Sequence, residues 1–180
     1  IEGEIPVTMA KSAGVALNEF ATAFEDLKPD VVITIADRFE CLPITIAACY
    51  MNIPVAHIEG GEVSGSIDES VRHSISKLAH LHFPATKSAA ERIKRLGEPE
   101  GTIFNVGCTS LDALNDLNLN DKNVILKAMR GKGVGPSINI DDDYLVVIQH
   151  PVTTEYAKNL AHVNQTIKAI DQLKIKTFWL

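Results

Sequence analysis

Residues 55–73 read VAHIEGGEVSGSIDESVRH and contain an apolar run, a glycine pair and the start of a helix. The apolar run ends at the carboxylate of Glu59, and a second acidic cluster begins at Asp68. The run itself predicts a buried strand, and the residues after the glycines predict a helix. Two acids joined by a flexible, glycine-rich connection are typical of proton transfer on a small polar substrate.

The alternation of strand and helix continues in both directions along the chain. Apolar runs predict buried strands at residues 31–36, 55–58, 81–85, 102–106, 144–148 and from 176 onward. Helical spacing predicts helices at residues 9–27, 41–51, 66–79, 87–96 (exposed and basic-faced), 109–117 and 155–173. This order indicates an α/β fold with a doubly wound parallel sheet. Ligands of such sheets bind beyond the carboxyl ends of the strands.

A change of composition suggests how the domains are organised. Residues 118–142 are rich in Asn, Asp, Gly and Lys and include the run Gly131–Ser137, which predicts a connector, although residues 124–129 also fit a helix. We expect one domain at 1–118, a connector at 119–142 and the start of a second domain at 143–180. Because the chain begins without Met and ends in an apolar run, we expect a piece of a longer protein.

Composition and charge exclude several classes of protein. The 180 residues carry a net charge of −6 without a basic stripe, which disfavours a nucleic-acid surface. No apolar run reaches the ~20 residues of a membrane helix, so we expect no membrane partner. Cys41, Cys49 and Cys108 are odd in number and form no C-x-x-C pair. This predicts three small buried side chains, no disulfide and a cytoplasmic protein.

Three histidines lie close together in the sequence, and they raise the question of a metal. His73 and His80 share a face of the predicted helix, and His82 follows. No Cys or acid completes a convincing ligand set beside them, so we expect no metal.

Charged residues follow two predicted strands directly. Asp37 and Arg38 come after the strand at 31–36, and Glu59 comes after the strand at 55–58. Asp37 could move protons, and Arg38 offers a planar donor fork to a phosphate. At a sheet rim, Glu59 lies in a low dielectric that suits acid or base work. The alternatives are a solvated turn at 37–38 and a structural pairing of Glu59 with Arg72 or with a backbone donor.

Asp68 and His150 are further candidates. Ser66 and Glu69 form the S-x-x-E spacing of a capping box, so Asp68 stands in the first turn of a helix. An acid there is favoured by the helix dipole, and Asp68 also has the i, i+4 spacing of a surface pair with Arg72. Spacing alone leaves both interpretations open. His150 ends a later strand, where it could act as a phosphate donor or an acid.

Taken together, these residues resemble the UDP-N-acetylglucosamine 2-epimerases, in particular the hydrolysing branch that serves sialic-acid synthesis. The resemblance runs from about residue 10 to the end of the chain. It is carried by DRFE at 37–40, HIEGGEVSGSID at 57–68, RH at 72–73 with KLAH at 77–80, and QHPVTT at 149–154, with a weaker match at Gly107, Cys108 and Asp112.

The resemblance implies two Rossmann-like domains in the GT-B arrangement, with the first strand missing here. It implies a nucleotide-sugar substrate, no cofactor, no metal and a homo-oligomer at full length. The catalytic residues that it implies are Asp37, Glu59, Asp68 and His150. The substrate-binding residues that it implies are Arg38, Arg72 and His150.

The spacing within the motif matches the hydrolysing branch of this family. Glu59 is followed by Gly60-Gly61-Glu62, and Asp68 lies nine positions after Glu59. The implied reaction converts UDP-N-acetylglucosamine to N-acetylmannosamine and UDP, through 2-acetamidoglucal. The alternatives are the same chemistry on a UDP- or GDP-linked 2,4-diacetamido sugar, a glycosyltransferase of this fold, and a silent nucleotide-sugar binder. We expect the 180-residue chain alone to be inactive.

Overall fold

The computed structural model describes residues 6–118, 121–129, 133–152 and 155–180. The chain divides into two compact units, Ile1–Asp112 and Ala113–Leu180. The elements of the first unit are α1 (Pro6–Leu27), β1 (Val32–Ile35), α2 (Cys41–Tyr50), β2 (Val55–Ile58), α3 (Ile67–Leu78), β3 (Leu81–Phe83), α4 (Lys87–Arg95) and α5 (Thr109–Asp112). The predicted α/β alternation is confirmed.

The three strands of the first unit form a parallel sheet in the order β1-β2-β3. Ile35 of β1 lies opposite Ile58 of β2, which lies opposite Phe83 of β3. Since the strands are parallel and in register, their carboxyl ends meet at one edge of the sheet. The turns that follow these three residues therefore share that edge.

The core of the first unit lies between this sheet and the helices α1 and α2. Phe24 of α1 packs with Val32 and Val55 of the sheet and with Ala47 and Ala48 of α2. The two alanines expose 2% and 0% of their surface, so their small side chains let α2 approach the strands closely. Burial of each large apolar side chain contributes roughly 1.5–3 kcal/mol.

The buried face of α3 differs from the apolar stripe that helical spacing predicts, which consists of Ile67, Val71, Ile75 and Leu78. Ile67, the first residue of that stripe, is 44% exposed, whereas Arg72 and Ser76 are buried beside Ile75. This face is buried because its polar residues have partners beneath the helix. Arg72 pairs with Asp37, and Ser76 forms a hydrogen bond with the ring of His57. Periodicity of apolar residues does not detect such polar contacts.

Three other predictions were wrong in part. The predicted strand at 102–106 forms a single bridge, between His82 and Ile103, because a 3-10 turn takes up Glu100–Thr102. The predicted helix at 109–117 ends at Asp112. Helix α4 is not wholly exposed, since Ala89 and Ile93 are completely buried.

The second unit contains a smaller parallel sheet. Its elements are α6 (Lys122–Met129), β4 (Tyr144–Val147), a 3-10 turn (Tyr156–Lys158), α7 (Asn159–Leu173) and β5 (Lys176–Trp179). β4 pairs with β5, and the rings of Tyr144 and Phe178 meet edge to face at 5.2 Å. The predicted strands here are confirmed within a residue. Residues 119–120 and 130–132 of the predicted connector lie outside the described residues, as do Thr153 and Thr154 of the QHPVTT segment.

The three cysteines are free thiols, but they are half-buried and not fully buried as predicted. Burial raises the pKa of the Cys41 and Cys49 thiols above the ordinary value. Within the described ranges, no helix combines the length and the apolar character needed to cross a membrane.

Candidate active site

The turn after β1 places Asp37 at the carboxyl edge of the sheet. Ala36 adopts a left-handed backbone, with φ of 58°, that costs a non-glycine residue free energy. Two hydrogen bonds from β2 hold it: the Ala36 N–H donates to the Ile58 carbonyl at 2.9 Å, and the His57 ring contacts the Ala36 carbonyl at 2.8 Å. Asp37 therefore leaves the strand in a direction set by β2.

His57 is completely buried and uses both ring nitrogens. Nε2 lies 2.8 Å from the Ala36 carbonyl oxygen, which only accepts, so Nε2 carries the proton. Nδ1 of the neutral ring then accepts from the Ser76 hydroxyl at 3.0 Å. Burial lowers the pKa of His57 from 6.5 to about 4, so the ring stays neutral at physiological pH.

The glycine pair is tightly packed, which corrects the prediction of a flexible connection. A Cβ on Gly60 would lie 2.7 Å from His57 Nδ1 and 2.8 Å from Ser76 Oγ. Gly61 has φ of 82°, and a Cβ there would clash with the Ala89 carbonyl oxygen of α4. Both glycines are buried. Because these two residues have no side chains, the turn can pack closely against both α3 and α4.

Glu59 is the second residue held in a strained conformation at this edge. Its φ is 60°, and its N–H donates to the Phe83 carbonyl at 2.9 Å, which ties the turn to β3. The carboxylate oxygen Oε1 accepts from Cys108 Sγ at 3.3 Å and from Thr109 Oγ1 at 3.2 Å. The pairing of Glu59 with Arg72, considered above as an alternative, does not form.

Arg72 reaches from α3 to both turns. Its side chain is 8% exposed and forms an ion pair with Asp37. It also donates to the Glu62 carbonyl at 2.6 Å and lies 3.4 Å from Ser64 Oγ. The i, i+4 pair with Asp68 does not form, because the guanidinium is occupied by Asp37. This arginine thus holds the turn after β1 against the turn after β2.

Asp68 stands in the first turn of α3, where Ser66 is the N-cap. The Ser66 hydroxyl accepts from the Asp68 N–H at 3.3 Å and lies 3.0 Å from Asp68 Oδ2. Glu69 does not close the predicted capping box, since its Oε2 accepts from the N–H groups of Ser64 and Gly65, at 3.0 and 2.8 Å. These two bonds lower the pKa of Glu69. Asp68 itself is half-exposed.

Among the described residues, neither Arg38 nor His150 has a hydrogen bond or ion pair with Asp37, Glu59 or Arg72. Arg38 is 77% exposed on its side chain and forms a surface ion pair with Glu40 at 2.7 Å. His150 is exposed and belongs to the second unit, beyond the end of β4. The first unit therefore joins Asp37 and Arg72 by an ion pair, places Glu59 at the same edge of the sheet, and holds Asp68 in the first turn of α3.

The three histidines considered as metal ligands contact different groups, and Nε2 of His73 lies 3.9 Å from Oε1 of Glu69. α3 ends at Leu78, so His80 lies beyond the helix, and its Nδ1 accepts from the Val55 N–H at 3.2 Å. His82 is buried, with Nε2 3.4 Å from Glu98. Among the described residues, no three His, Cys, Asp or Glu side chains converge as a metal site.

Sequence reasoning did not find Ser76 or Thr109. Ser76 lies one helical turn after Arg72, and two polar residues on one buried face could have signalled partners beneath α3. Thr109 follows Gly107 and Cys108 closely, but its contact with Glu59 spans 50 residues of chain. A contact at that separation has no local sequence signal.

The chain is similar to known epimerases over nearly its whole length. The profile of the family described as UDP-N-acetylglucosamine 2-epimerase matches residues 3–179. The GDP/UDP-N,N'-diacetylbacillosamine 2-epimerase (hydrolyzing) of Campylobacter jejuni is 35% identical over 169 residues, which are 93% of this chain and 42% of that protein. The UDP-N,N'-diacetylbacillosamine 2-epimerase (hydrolyzing) of Legionella pneumophila is 43% identical over 148 residues, 82% of this chain and 37% of that protein. The chain thus spans less than half the length of either relative.

A solved structure supports the fold. The UDP-GlcNAc 2-epimerase of Methanocaldococcus jannaschii, in complex with UDP-GlcNAc and UDP, superimposes with a TM-score of 0.77 at 24% identity, over 95% of this chain and 47% of that one. This confirms the Rossmann-like α/β class of the GT-B type. With a family profile that covers almost every residue, the chain belongs to the UDP-N-acetylglucosamine 2-epimerase family.

Proposed function

We propose that the full-length protein containing this chain is a hydrolysing 2-epimerase of a UDP-linked 2-acetamido sugar. The observation that carries the proposal is the position of Glu59, a carboxylate anchored through one oxygen at the carboxyl edge of the sheet. Asp37 follows the neighbouring strand at the same edge, with Ile35 and Ile58 as register partners. Two carboxylates at one edge suit the removal of a proton and its return to another face.

The chemistry begins with departure of UDP. As the bond between C1 and the phosphate oxygen breaks, C1 gains positive charge and the proton on C2 becomes acidic. A carboxylate of the site takes that proton, the C2–H electron pair forms the C1=C2 bond, and UDP leaves with the electrons of the C1–O bond. Water then adds at C1 and a proton returns to C2 on the opposite face, which releases the free epimerised sugar.

The residues divide this work by their chemistry. Glu59, Asp37 and Asp68 are the candidate proton carriers and stabilise positive charge at C1. Arg38, whose guanidinium is exposed, and His150 are proposed to meet the phosphates of the leaving UDP. Arg72 is proposed to act on substrate through Asp37, since its own donors face protein groups.

Two substrates are candidates, and the relatives favour one of them. Both relatives described above carry names that specify an N,N'-diacetylbacillosamine nucleotide and the hydrolysing reaction. This supports a UDP-linked 2,4-diacetamido sugar as the substrate. The family description supports UDP-N-acetylglucosamine, with N-acetylmannosamine as product, as the second candidate.

Turnover in deuterated water tests both the reaction and the substrate. The full-length protein is incubated separately with UDP-N,N'-diacetylbacillosamine and UDP-N-acetylglucosamine, and free sugar, UDP and deuterium at C2 are measured. We expect free sugar labelled at C2, faster with the diacetamido substrate. A nucleotide-linked product would contradict hydrolysis, and transfer to an acceptor without C2 label would indicate a glycosyltransferase.

A catalytically silent nucleotide-sugar binder is the remaining alternative. It predicts that Asp37→Asn, Glu59→Gln and Asp68→Asn in the full-length protein leave its function unchanged. Our proposal predicts that at least Glu59→Gln abolishes C2 labelling, while binding of UDP is retained.

A further inference from the structure

The hydrogen bonds of Glu59 are concentrated on one of its two carboxylate oxygens. Oε1 accepts from Cys108 Sγ at 3.3 Å and from Thr109 Oγ1 at 3.2 Å. Among residues 6–118, 121–129, 133–152 and 155–180, no hydrogen bond or ion pair is found for Oε2. The carboxylate is therefore anchored on one side and open on the other.

Two left-handed backbone positions create this arrangement. Glu59 has φ of 60°, and Gly107, just before the two donors, has φ of 90°. Strained conformations of non-glycine residues persist only where neighbouring contacts hold them, and they concentrate at functional sites. The Glu59 N–H bond to Phe83 fixes the backbone, so the contacts with Cys108 and Thr109 fix what remains, the rotation of the side chain.

We infer that Thr109 and Cys108 are positioning residues for Glu59, which hold Oε1 so that Oε2 is the oxygen that exchanges the C2 proton of the sugar. This inference rests on the proposed epimerase function and adds the orientation of its base. A carboxylate fixed within a fraction of an ångström of its productive geometry gains rate through orientation, whereas a freely rotating one loses it. The hydroxyl of Thr109 is the stronger donor, and the thiol of Cys108 is a weak one.

The surroundings of Thr109 offer a well-matched substitution. Thr109 lines an apolar cavity of about 210 Å³ together with Ile33, Ile58, Phe83 and Val106. Replacing its hydroxyl by a methyl group in Thr109→Val keeps the shape of the side chain and suits this apolar lining. Thr109→Ser keeps the hydroxyl and removes the methyl group. The pair separates the hydrogen bond from the packing.

The test measures turnover and C2 labelling by the full-length enzyme. We expect Thr109→Val to lower kcat by about tenfold or more with KM changed less than about twofold, because orientation of the base acts on the chemical step. Thr109→Ser should retain kcat within about threefold. Cys108→Ala should lower kcat less than Thr109→Val does. Cys108→Ser provides a stronger donor, so it should keep kcat near the wild-type value.

Each outcome decides the inference. Wild-type kcat in Thr109→Val would overturn it, as would an equal loss of kcat in Thr109→Ser, which would assign the effect to packing. If circular dichroism shows that Thr109→Val is unfolded, the comparison of Cys108→Ala with Cys108→Ser decides, and equal kcat values there would overturn the inference. A wild type that neither releases UDP nor labels C2 rejects the proposed function, and the inference with it.

Discussion

His57 is a fully buried histidine whose ring links β2 to the turn that carries Asp37. Its Nε2–H donates to the Ala36 carbonyl, and its Nδ1 accepts from Ser76. Ala36 is left-handed, so this carbonyl faces inward only at a conformational cost. The neutral ring therefore stabilises the strained residue that sets the direction of Asp37.

The depressed pKa of His57 predicts a loss of stability in acid. The pKa of His57 is about 4 in the folded protein and 6.5 for an ordinary histidine. Between these values the unfolded chain binds a proton that the folded chain does not, so stability falls as pH drops from about 6.5 to about 4. The difference between these two pKa values corresponds to a loss of roughly 3 kcal/mol in the free energy of unfolding. His82, whose pKa burial also lowers, adds a loss of the same sign.

The variant His57→Gln isolates this contribution. Its amide can donate to the Ala36 carbonyl but does not titrate. In urea titrations of the full-length protein from pH 7 to pH 4, we expect the variant to lose less free energy of unfolding than the wild type. Identical pH dependence in the two proteins would contradict the assignment to His57.

Gly60 predicts a steric effect at the same cluster. A Cβ at this position would lie 2.7 Å from His57 Nδ1 and 2.8 Å from Ser76 Oγ. The methyl group of Gly60→Ala would therefore clash with both partners of the His57–Ser76 hydrogen bond. We expect a loss of about 1–3 kcal/mol of stability. Gly14→Ala is the control, because Gly14 lies in α1 with open space around its Cβ position. That change should stabilise by up to about 1 kcal/mol. Urea unfolding of both variants checks the contrast, and equal effects would refute it.

The elements of the first unit are joined at the sheet edge through α3. Arg72 contacts the turn after β1 through Asp37 and the turn after β2 through the Glu62 carbonyl. Glu69 adds bonds to the N–H groups of Ser64 and Gly65, so the long turn is fastened to the helix that follows it. A single helix thereby orders both turns that carry candidate acids.

We expect Arg72→Met to lower the free energy of unfolding more than Arg38→Met does. Arg72 is buried, and its loss leaves the Asp37 carboxylate without its cation and the Glu62 carbonyl without a donor, at a cost of about 2 kcal/mol or more. Arg38 pairs with Glu40 on the surface, where an ion pair is worth less than about 1 kcal/mol. The free energy of unfolding of each variant is the measurement. Equal losses would show that Arg72 does not join the turns.

Candidate residues occur in both compact units of the chain. Asp37, Glu59 and Asp68 belong to the unit that ends at Asp112, and His150 belongs to the unit that begins at Ala113. The chain also spans only 42% of the Campylobacter relative and 37% of the Legionella relative. We propose that the activity requires more of the protein than these 180 residues.

Activity of the isolated chain tests that proposal. We expect no UDP release by the 180-residue chain at enzyme and substrate concentrations where the full-length protein turns over, because groups that bind the nucleotide are expected beyond these residues. Circular dichroism of the chain serves as the control for folding. Steady UDP release by the folded 180-residue chain would show that its own residues suffice.

Most elements of the fold could be predicted because they depend on local patterns. The β2 strand and the start of β5 follow from short apolar runs, and Ser66 marks the N-terminus of α3 by its capping chemistry. The strand expected at 102–106 was wrong, since a 3-10 turn competes for its first residue. Of the candidate site, the positions of Asp37 and Glu59 at strand ends were predictable because parallel strands share one carboxyl edge.

Side-chain partners depended on the tertiary structure. The sequence determines that Glu59 follows a strand and that two glycines follow Glu59. Only the folded structure shows that these glycines pack closely against His57, Ser76 and α4. It also shows that Arg72 pairs with Asp37 and not with Asp68. The same is true of the Thr109 hydroxyl on Glu59, across 50 residues. Local structure follows from neighbours along the chain, whereas these contacts form between residues that only the folded backbone brings together.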